Sequence, residues 1–175
     1  MSEEKFIAAI TGPAGSGKST VGFLLKKQMN KCANIDVDDV KHFIGFKHDV
    51  TTRGIKKWRF DEWKLLGESI GLVAQKFHEA GYSILITGYL EEDAWLEIEK
   101  TIELTHKILI LPKLETVISR DSSREEDIVM GSKAIKDHHN YFSDNKYFAD
   151  FIKIDSTNNT KEQTVEKVKE IIEAR

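Results

Sequence analysis

Short apolar runs alternate with amphipathic stretches along nearly the whole chain. Phe6-Ile7-Ala8-Ala9-Ile10 is an unbroken apolar run and predicts a buried strand near residues 5–10. Val21, Leu24, Leu25 and Gln28–Met29 then follow a helical period over about 17–30. Asn34-Ile35-Asp36-Val37 predicts a second short strand, and a helical piece runs from Asp38 to about Phe43. Gly45 to Lys57 has no clear period. A long helix is predicted from about Trp58 to Ala80, with Trp63, Leu66, Ile70, Val73 and Phe77 on one face and Lys64, Glu68, Gln75 and Glu79 on the other. Gly81 supplies its stop. Tyr82–Thr87 is the third strand. Glu91, Glu92 and Asp93 suit the first turn of the next helix, whose buried face is Trp95, Ile98 and Ile102. Lys107–Leu111 is the fourth strand, ended by Pro112, with a helix following over about 114–121. Asp121 to Gly131 is polar and poorly patterned and reads as a mobile loop. A further helix runs to about Phe142, with Ile135, His139 and Phe142 on one side. Phe151–Asp155 is the fifth strand. Thr160 and Gln163 form a capping box for the last helix, whose Val165, Val168 and Ile172 face inward. Strands interleaved with helices predict an α/β fold, a five-stranded parallel sheet covered on both faces.

Composition narrows this picture. A chain of 175 residues is most simply one domain, and 40% apolar with 31% charged residues describes a soluble globular protein. The net charge of −3 gives no basic field to attract nucleic acid or a membrane. Cys32 is the only cysteine, so no internal disulfide framework exists, which suits a reducing cytoplasm. The N-terminal apolar run is too short for a signal peptide, and no run approaches the ~20 residues of a membrane span.

The strongest chemical signal is Gly12-Pro13-Ala14-Gly15-Ser16-Gly17-Lys18-Ser19, followed by Thr20. It fits the phosphate-loop template, and it sits between a predicted strand and a predicted helix, as that template requires. Glycines let backbone N–H groups approach phosphate oxygens, Lys18 brings charge to the β/γ-phosphates, and the Ser19 hydroxyl is placed for Mg²⁺.

A second candidate is Asp36-Val37-Asp38-Asp39 at the end of the second strand. In open parallel sheets ligands bind at strand carboxyl ends, where carboxylates hold Mg²⁺ or orient an attacking hydroxyl. A helix N-cap at Asp38 or Asp39 is the plainer reading, but three carboxylates in four positions exceed what a cap needs. Asp38 is therefore the candidate base and Asp36 the candidate metal ligand. A third is the pair Arg120 and Arg124, which could close over a nucleotide or simply pair with Asp121, Glu125 or Glu126.

Missing motifs also inform. No aspartate has glycine three places on, and Asn30-Lys31-Cys32-Ala33 and Asn145-Lys146-Tyr147-Phe148 both lack a final Asp, so a guanine-reading switch is disfavoured. The third strand ends Ile86-Thr87-Gly88-Tyr89, without the acid of a motor ATPase. His138-His139 lacks a third ligand at suitable spacing and reads as a packed helix face. The run from Lys47 to Arg59 is a solvated segment or a recogniser of an anionic acceptor.

Together these residues resemble the P-loop kinases grouped around shikimate kinase, gluconate kinase, chloramphenicol phosphotransferase and polynucleotide kinase. The resemblance rests on Gly12–Ser19, Val37-Asp38-Asp39-Val40-Lys41, Phe77-His78-Glu79-Ala80-Gly81-Tyr82, Leu111-Pro112-Lys113-Leu114-Glu115, Arg120-Asp121-Ser122-Ser123-Arg124 and Ile154-Asp155-Ser156-Thr157. It implies a three-layer P-loop NTPase fold with strand order 2-3-1-4-5, and ATP with Mg²⁺. It implies that Arg120 stacks on adenine, that Arg124 is the arginine of a lid at about 121–131, and that Asp155 and Thr157 edge the adenine. The acceptor pocket is expected at about 42–63, with Asp38, Lys41, Arg53, Trp58 and Gly88 as contacts. Thr87-Gly88-Tyr89 stands where shikimate kinases carry a glycine triplet. The leading expectation is an ATP-dependent phosphotransferase acting on the hydroxyl of a small molecule, as monomer or homodimer. The alternatives are a nucleotide or polynucleotide 5′-hydroxyl kinase, and a non-catalytic or slow-ATPase nucleotide-binding module.

Overall fold

The structure is a computed structural model and describes residues 5–44, 60–123 and 129–174. Arg53, Trp58 and Arg124, and most of the expected acceptor segment, lie outside the described residues. In chain order the elements are β1 (Ile7–Thr11), α1 (Lys18–Gln28), β2 (Cys32–Asp36), α2 (Val37–Lys41), α3 (Phe60–Glu79), β3 (Ser83–Thr87), α4 (Glu92–Thr101), β4 (His106–Ile110), α5 (Leu114–Ser122), α6 (Ser132–Asp144), β5 (Ile152–Ile154) and α7 (Lys161–Glu173). Short 3₁₀ turns stand at His42–Ile44 and Lys146–Asp150.

All strand pairs are parallel and the order is β2-β3-β1-β4-β5. β1 and β3 are buried along their whole length, which is why they read as continuous apolar runs rather than as alternation. Side-chain alternation along the strands splits the core in two. Ile7, Ala9, Ile84, Ile86 and Leu109 join Trp63, Ile70, Trp95, Ile98, Phe142 and Phe148 on one face of the sheet. Ala8, Ile10, Leu85, Ile108 and Ile110 meet Val21, Leu25, Val165, Val168 and Ile172 on the other. Among the described residues no helix is long and apolar enough to cross a membrane.

Three expectations are corrected. β2 covers Cys32–Asp36 rather than 34–37, because pairing runs from Cys32↔Ser83 to Asp36↔Thr87 and Val37 already begins α2. The Lys146–Asp150 turn was not foreseen; the Asn145 side chain caps it by accepting from the Tyr147 N–H at 2.9 Å, and Phe148 is buried. The buried face of α3 is Trp63, Leu66, Ile70 and Ala74, while Val73 and Phe77 are 39% and 45% exposed.

Glycine explains that rotation of α3. A Cβ built on Gly67 would lie 2.3 Å from the Ala94 carbonyl oxygen, and one on Gly71 would lie 3.0 Å from Thr101. The missing side chains let α3 and α4 approach closely, so two of the buried positions carry no apolar signal at all.

Gly67→Ala should therefore destabilise the protein by about 1–3 kcal/mol, the usual cost of overpacking, plus whatever backbone shift the carbonyl contact forces. Urea denaturation checks this; an unchanged midpoint would mean that the helix contact is looser than described.

Candidate active site

Three strand ends build the site. β1 ends at Thr11, whose hydroxyl donates to the Gly88 carbonyl at 2.8 Å in a fully buried contact. This bond fixes the start of the glycine loop against the end of β3. The loop then turns through Gly15 and Gly17, at φ +81° and +96°, backbone states that L side chains rarely adopt. The Ser16 N–H donates to the Pro13 carbonyl at 3.1 Å and closes the turn. Helix α1 starts at Lys18 with no side-chain cap on its first turn. An uncapped helix start behind a glycine loop is what phosphate oxygens require. The Ser16 hydroxyl is buried in this cradle without a hydrogen-bond partner. Lys18 donates to the Pro13 carbonyl at 3.2 Å and so lies across the loop.

β2 delivers the carboxylates. Asp36 is the N-cap of α2: it accepts from the Asp38 N–H at 3.0 Å. The cap thus falls on Asp36 and not on Asp38 or Asp39. Ser19, at the head of α1, acts on the Asp36 carboxyl from the loop side. Burial pushes the Asp36 carboxyl above its ordinary range, and the Asp38 N–H and Ser19 pull it partly back.

Asp38 is 62% exposed and pairs with Lys41 at 3.1 Å. Lys41 donates as well to the Tyr89 carbonyl at 2.8 Å, and its ammonium lies over the rings of Trp63 and Tyr89 at 5.5 and 5.6 Å. Burial lowers the proton affinity of Lys41, and Asp38 opposes that shift. Gly88 is placed by packing: a Cβ there would stand 2.4 Å from the Val37 Cβ.

A cavity of about 570 Å³ opens on the other side of the glycine loop, lined by Gly15, Ser16, Gly17, Thr20, Arg120, Asn159 and Thr160, among others. Arg120 donates to the Ser156 carbonyl at 3.0 Å, so it is held by the loop after β5 rather than by a surface acid. Asp155 and Thr157 shape this loop. Asp155 accepts from the Thr157 N–H at 2.8 Å and from its hydroxyl, and the Thr157 oxygen accepts from the Lys113 N–H at 2.8 Å. Asn159, and Thr160, which the sequence reading gave only as a helix cap, stand on the cavity wall itself. Asp121 is buried and accepts the backbone N–H groups of Met130 and Gly131 at 3.1 and 3.0 Å, closing the base of the polar loop.

The residues present fit a magnesium ion. Ser19 acts on the Asp36 carboxyl across the end of the loop, so a cation there would meet a hydroxyl, a carboxylate and phosphate oxygens. Among the described residues no three His, Cys, Asp or Glu side chains gather as a metal cage, and a phosphate-bound magnesium does not need one.

His138, which the sequence reading put on a packed helix face, does pack there. Its ring stacks on Tyr89 with centroids 4.5 Å apart and planes at 17°. Burial, with Lys18 and Lys41 adding to it, pushes its pKa down to about 4. The signal was there: His138 is three residues after Ile135 and four before Phe142, both buried, so it shares their face.

Comparison with known proteins fixes the fold. No protein-family model matches the chain, and no curated protein does. Among solved structures, a sugar kinase from Janibacter sp. HTCC2649 aligns over 97% of this chain and 95% of its own, with TM-score 0.74 and 17% identity. The tunicamycin resistance protein of Deinococcus radiodurans aligns over 98% of both chains, with TM-score 0.67 and 15% identity. Thymidylate kinase from Candida albicans aligns over 97% of this chain and 91% of its own, with TM-score 0.62 and 16% identity. The chain has the P-loop kinase fold, with the sheet order and flanking helices of that fold.

The His138 environment gives a pH prediction. Above pH 6.5 the imidazole is neutral folded and unfolded, and costs nothing. As pH falls from about 6.5 towards 4 only the unfolded state takes the proton, so stability is lost across that window. The full loss is on the order of 3 kcal/mol. His138→Phe, which keeps a ring on Tyr89, should flatten this acid limb relative to wild type in thermal melts from pH 7 to 4. Parallel curves for the two proteins would contradict the assignment.

Proposed function

We propose that the protein is an ATP-dependent phosphotransferase that moves the γ-phosphoryl group to a hydroxyl of a small-molecule acceptor. One observation carries this reading. The ends of β1 and β2 stand level, with Ile10 and Asp36 both opposite Thr87 of β3, and Asp38 stands two residues on with its carboxylate held by Lys41. A phosphate cradle and a held, accessible carboxylate side by side are the two halves of a transfer site. The fold likeness to a sugar kinase and a thymidylate kinase supports the reading.

In this account the nucleoside lies along the cavity beside Arg120 and Asn159, with its phosphates in Gly12–Thr20. Ser19 and Asp36 would hold magnesium, which when bound neutralises phosphate charge. Lys18 sits on the β/γ-phosphates. The acceptor oxygen forms a bond to the γ-phosphorus as the bond from phosphorus to the β–γ bridging oxygen breaks, and the hydroxyl proton passes to Asp38. ADP and a phosphate ester leave. Arg124, on a lid at about 121–131, would spread positive charge on the moving group. Residues of about 42–63, Arg53 and Trp58 among them, would form the acceptor wall within one domain. Lys41 serves this site by holding Asp38 as well as by bordering the acceptor.

Two substitutions test the proposal by calorimetry and an acceptor-dependent ADP-release screen of metabolites. Lys18→Ala should lower MgATP affinity at least roughly tenfold, since a charge-assisted contact contributes about 1.5–3 kcal/mol. Asp38→Ala should keep MgATP affinity and lose roughly 10²–10⁴ in transfer rate, the usual reach of a general base. Undiminished MgATP binding in the first variant would sink the donor site. A slow ATPase indifferent to Asp38, with no acceptor dependence, would favour a nucleotide-binding module instead.

A further inference from the structure

His138 has a surrounding that packing alone does not call for. It comes from α6, far along the chain from the glycine loop, yet its ring lies on Tyr89. Tyr89 directly follows Gly88, whose carbonyl accepts the Thr11 hydroxyl one residue before the loop begins. The Tyr89 carbonyl in turn holds Lys41, the partner of Asp38. His138 is therefore laid over the carboxyl ends of β1 and β3, the edge on which the phosphate loop and the candidate base both stand.

Lys18, at the head of α1, and Lys41, on α2, both act on this imidazole, with Asp137 on its own helix opposing them. Its Nδ1 is buried with no hydrogen-bond partner. A proton on that nitrogen would be a buried donor without an acceptor, so the proton belongs on Nε2. The result is a neutral ring with one N–H to give, stacked on the same Tyr89 ring that the Lys41 ammonium lies over. A residue needed only to fill space against Tyr89 would be served as well by Phe. The two lysines around it are the charges that a transferring phosphoryl group would approach.

We propose that His138 contacts substrate, its neutral imidazole donating a hydrogen bond to the γ-phosphoryl group of the bound nucleoside triphosphate. This rests on the phosphotransferase reading above and deepens it. A γ-phosphate arriving between Lys18 and Lys41 replaces a positive field at the ring with a negative one, so His138 reports that group and not the β-phosphate.

The test is imidazole NMR of the full-length protein at neutral pH, with the His138 signals assigned through His138→Phe and His138→Gln. Mg·AMP-PNP should shift the His138 resonances, and Mg·ADP should leave them in place. In calorimetry His138→Phe, which keeps the stack on Tyr89, should lose about tenfold in AMP-PNP affinity with ADP affinity unchanged. His138→Gln, which keeps an N–H donor, should recover most of that loss. A role in packing alone moves AMP-PNP and ADP together or neither. If the Gly15 and Gly17 amide signals respond to AMP-PNP while His138 stays still, the His138 proposal is wrong and the nucleotide site stands. If those amides ignore both nucleotides, the nucleotide site itself fails, and the His138 contact falls with it.

Discussion

The parallel register of three strands is the constraint on which the site depends. Ile10 of β1 and Asp36 of β2 both stand opposite Thr87 of β3. Three chain segments therefore leave the sheet at one level, and Thr11, Val37 and Gly88 are neighbours before any loop is considered. The buried Thr11–Gly88 hydrogen bond and the contact of Val37 with Gly88 lock that level. A slip of one residue in either pairing would turn side chains to the opposite face and part Asp36 from Ser19.

Burial then sets the electrostatics. Asp36 holds its proton more tightly than an exposed carboxyl, Lys41 less tightly than an exposed amine, and His138 much less than an exposed imidazole. All three shifts have the same first cause, loss of water around the charged form. A partly dry site strengthens every remaining interaction within it, and each charge there needs a partner. Lys41 finds Asp38 and the Tyr89 carbonyl, and Asp36 finds the Asp38 N–H. Lys18 lies across its own loop. On the proposed phosphotransferase reading, these groups are held in place before a polyanion arrives.

Much of this was legible in the sequence, for physical reasons. Strands buried on both faces advertise themselves as apolar runs, so β1, β3 and β4 could be read directly. The phosphate loop is legible because glycine at fixed spacing has a backbone meaning. The Thr160–Gln163 capping box is legible because both halves of it lie within one helical turn, and both bonds are present. What failed were the properties that depend on partners distant in sequence. The face of α3 turned because Gly67 and Gly71 fit against α4, and nothing within α3 announces α4. β2 was misplaced because an edge strand with Asn34 in its middle has a weak pattern, and its bounds come from β3. His138 was passed over for His139 because its partner, Tyr89, lies two helices and a strand earlier in the chain. The Asn159–Thr160 wall of the cavity beside the glycine loop is likewise a product of how α7 docks there.

The central claim is that the end of β1 and the end of β2 form one site, with phosphates in the loop and the acceptor beside Asp38. A crystal structure of the protein with Mg·AMP-PNP tests it most directly. The account predicts β- and γ-phosphates within hydrogen-bond reach of the backbone N–H groups of 15–19, and the magnesium ion on Ser19. It also places the γ-phosphate on the Asp38 side of the loop. A nucleotide bound elsewhere, or phosphates seated in the loop with the γ-group turned away from Asp38, would contradict it.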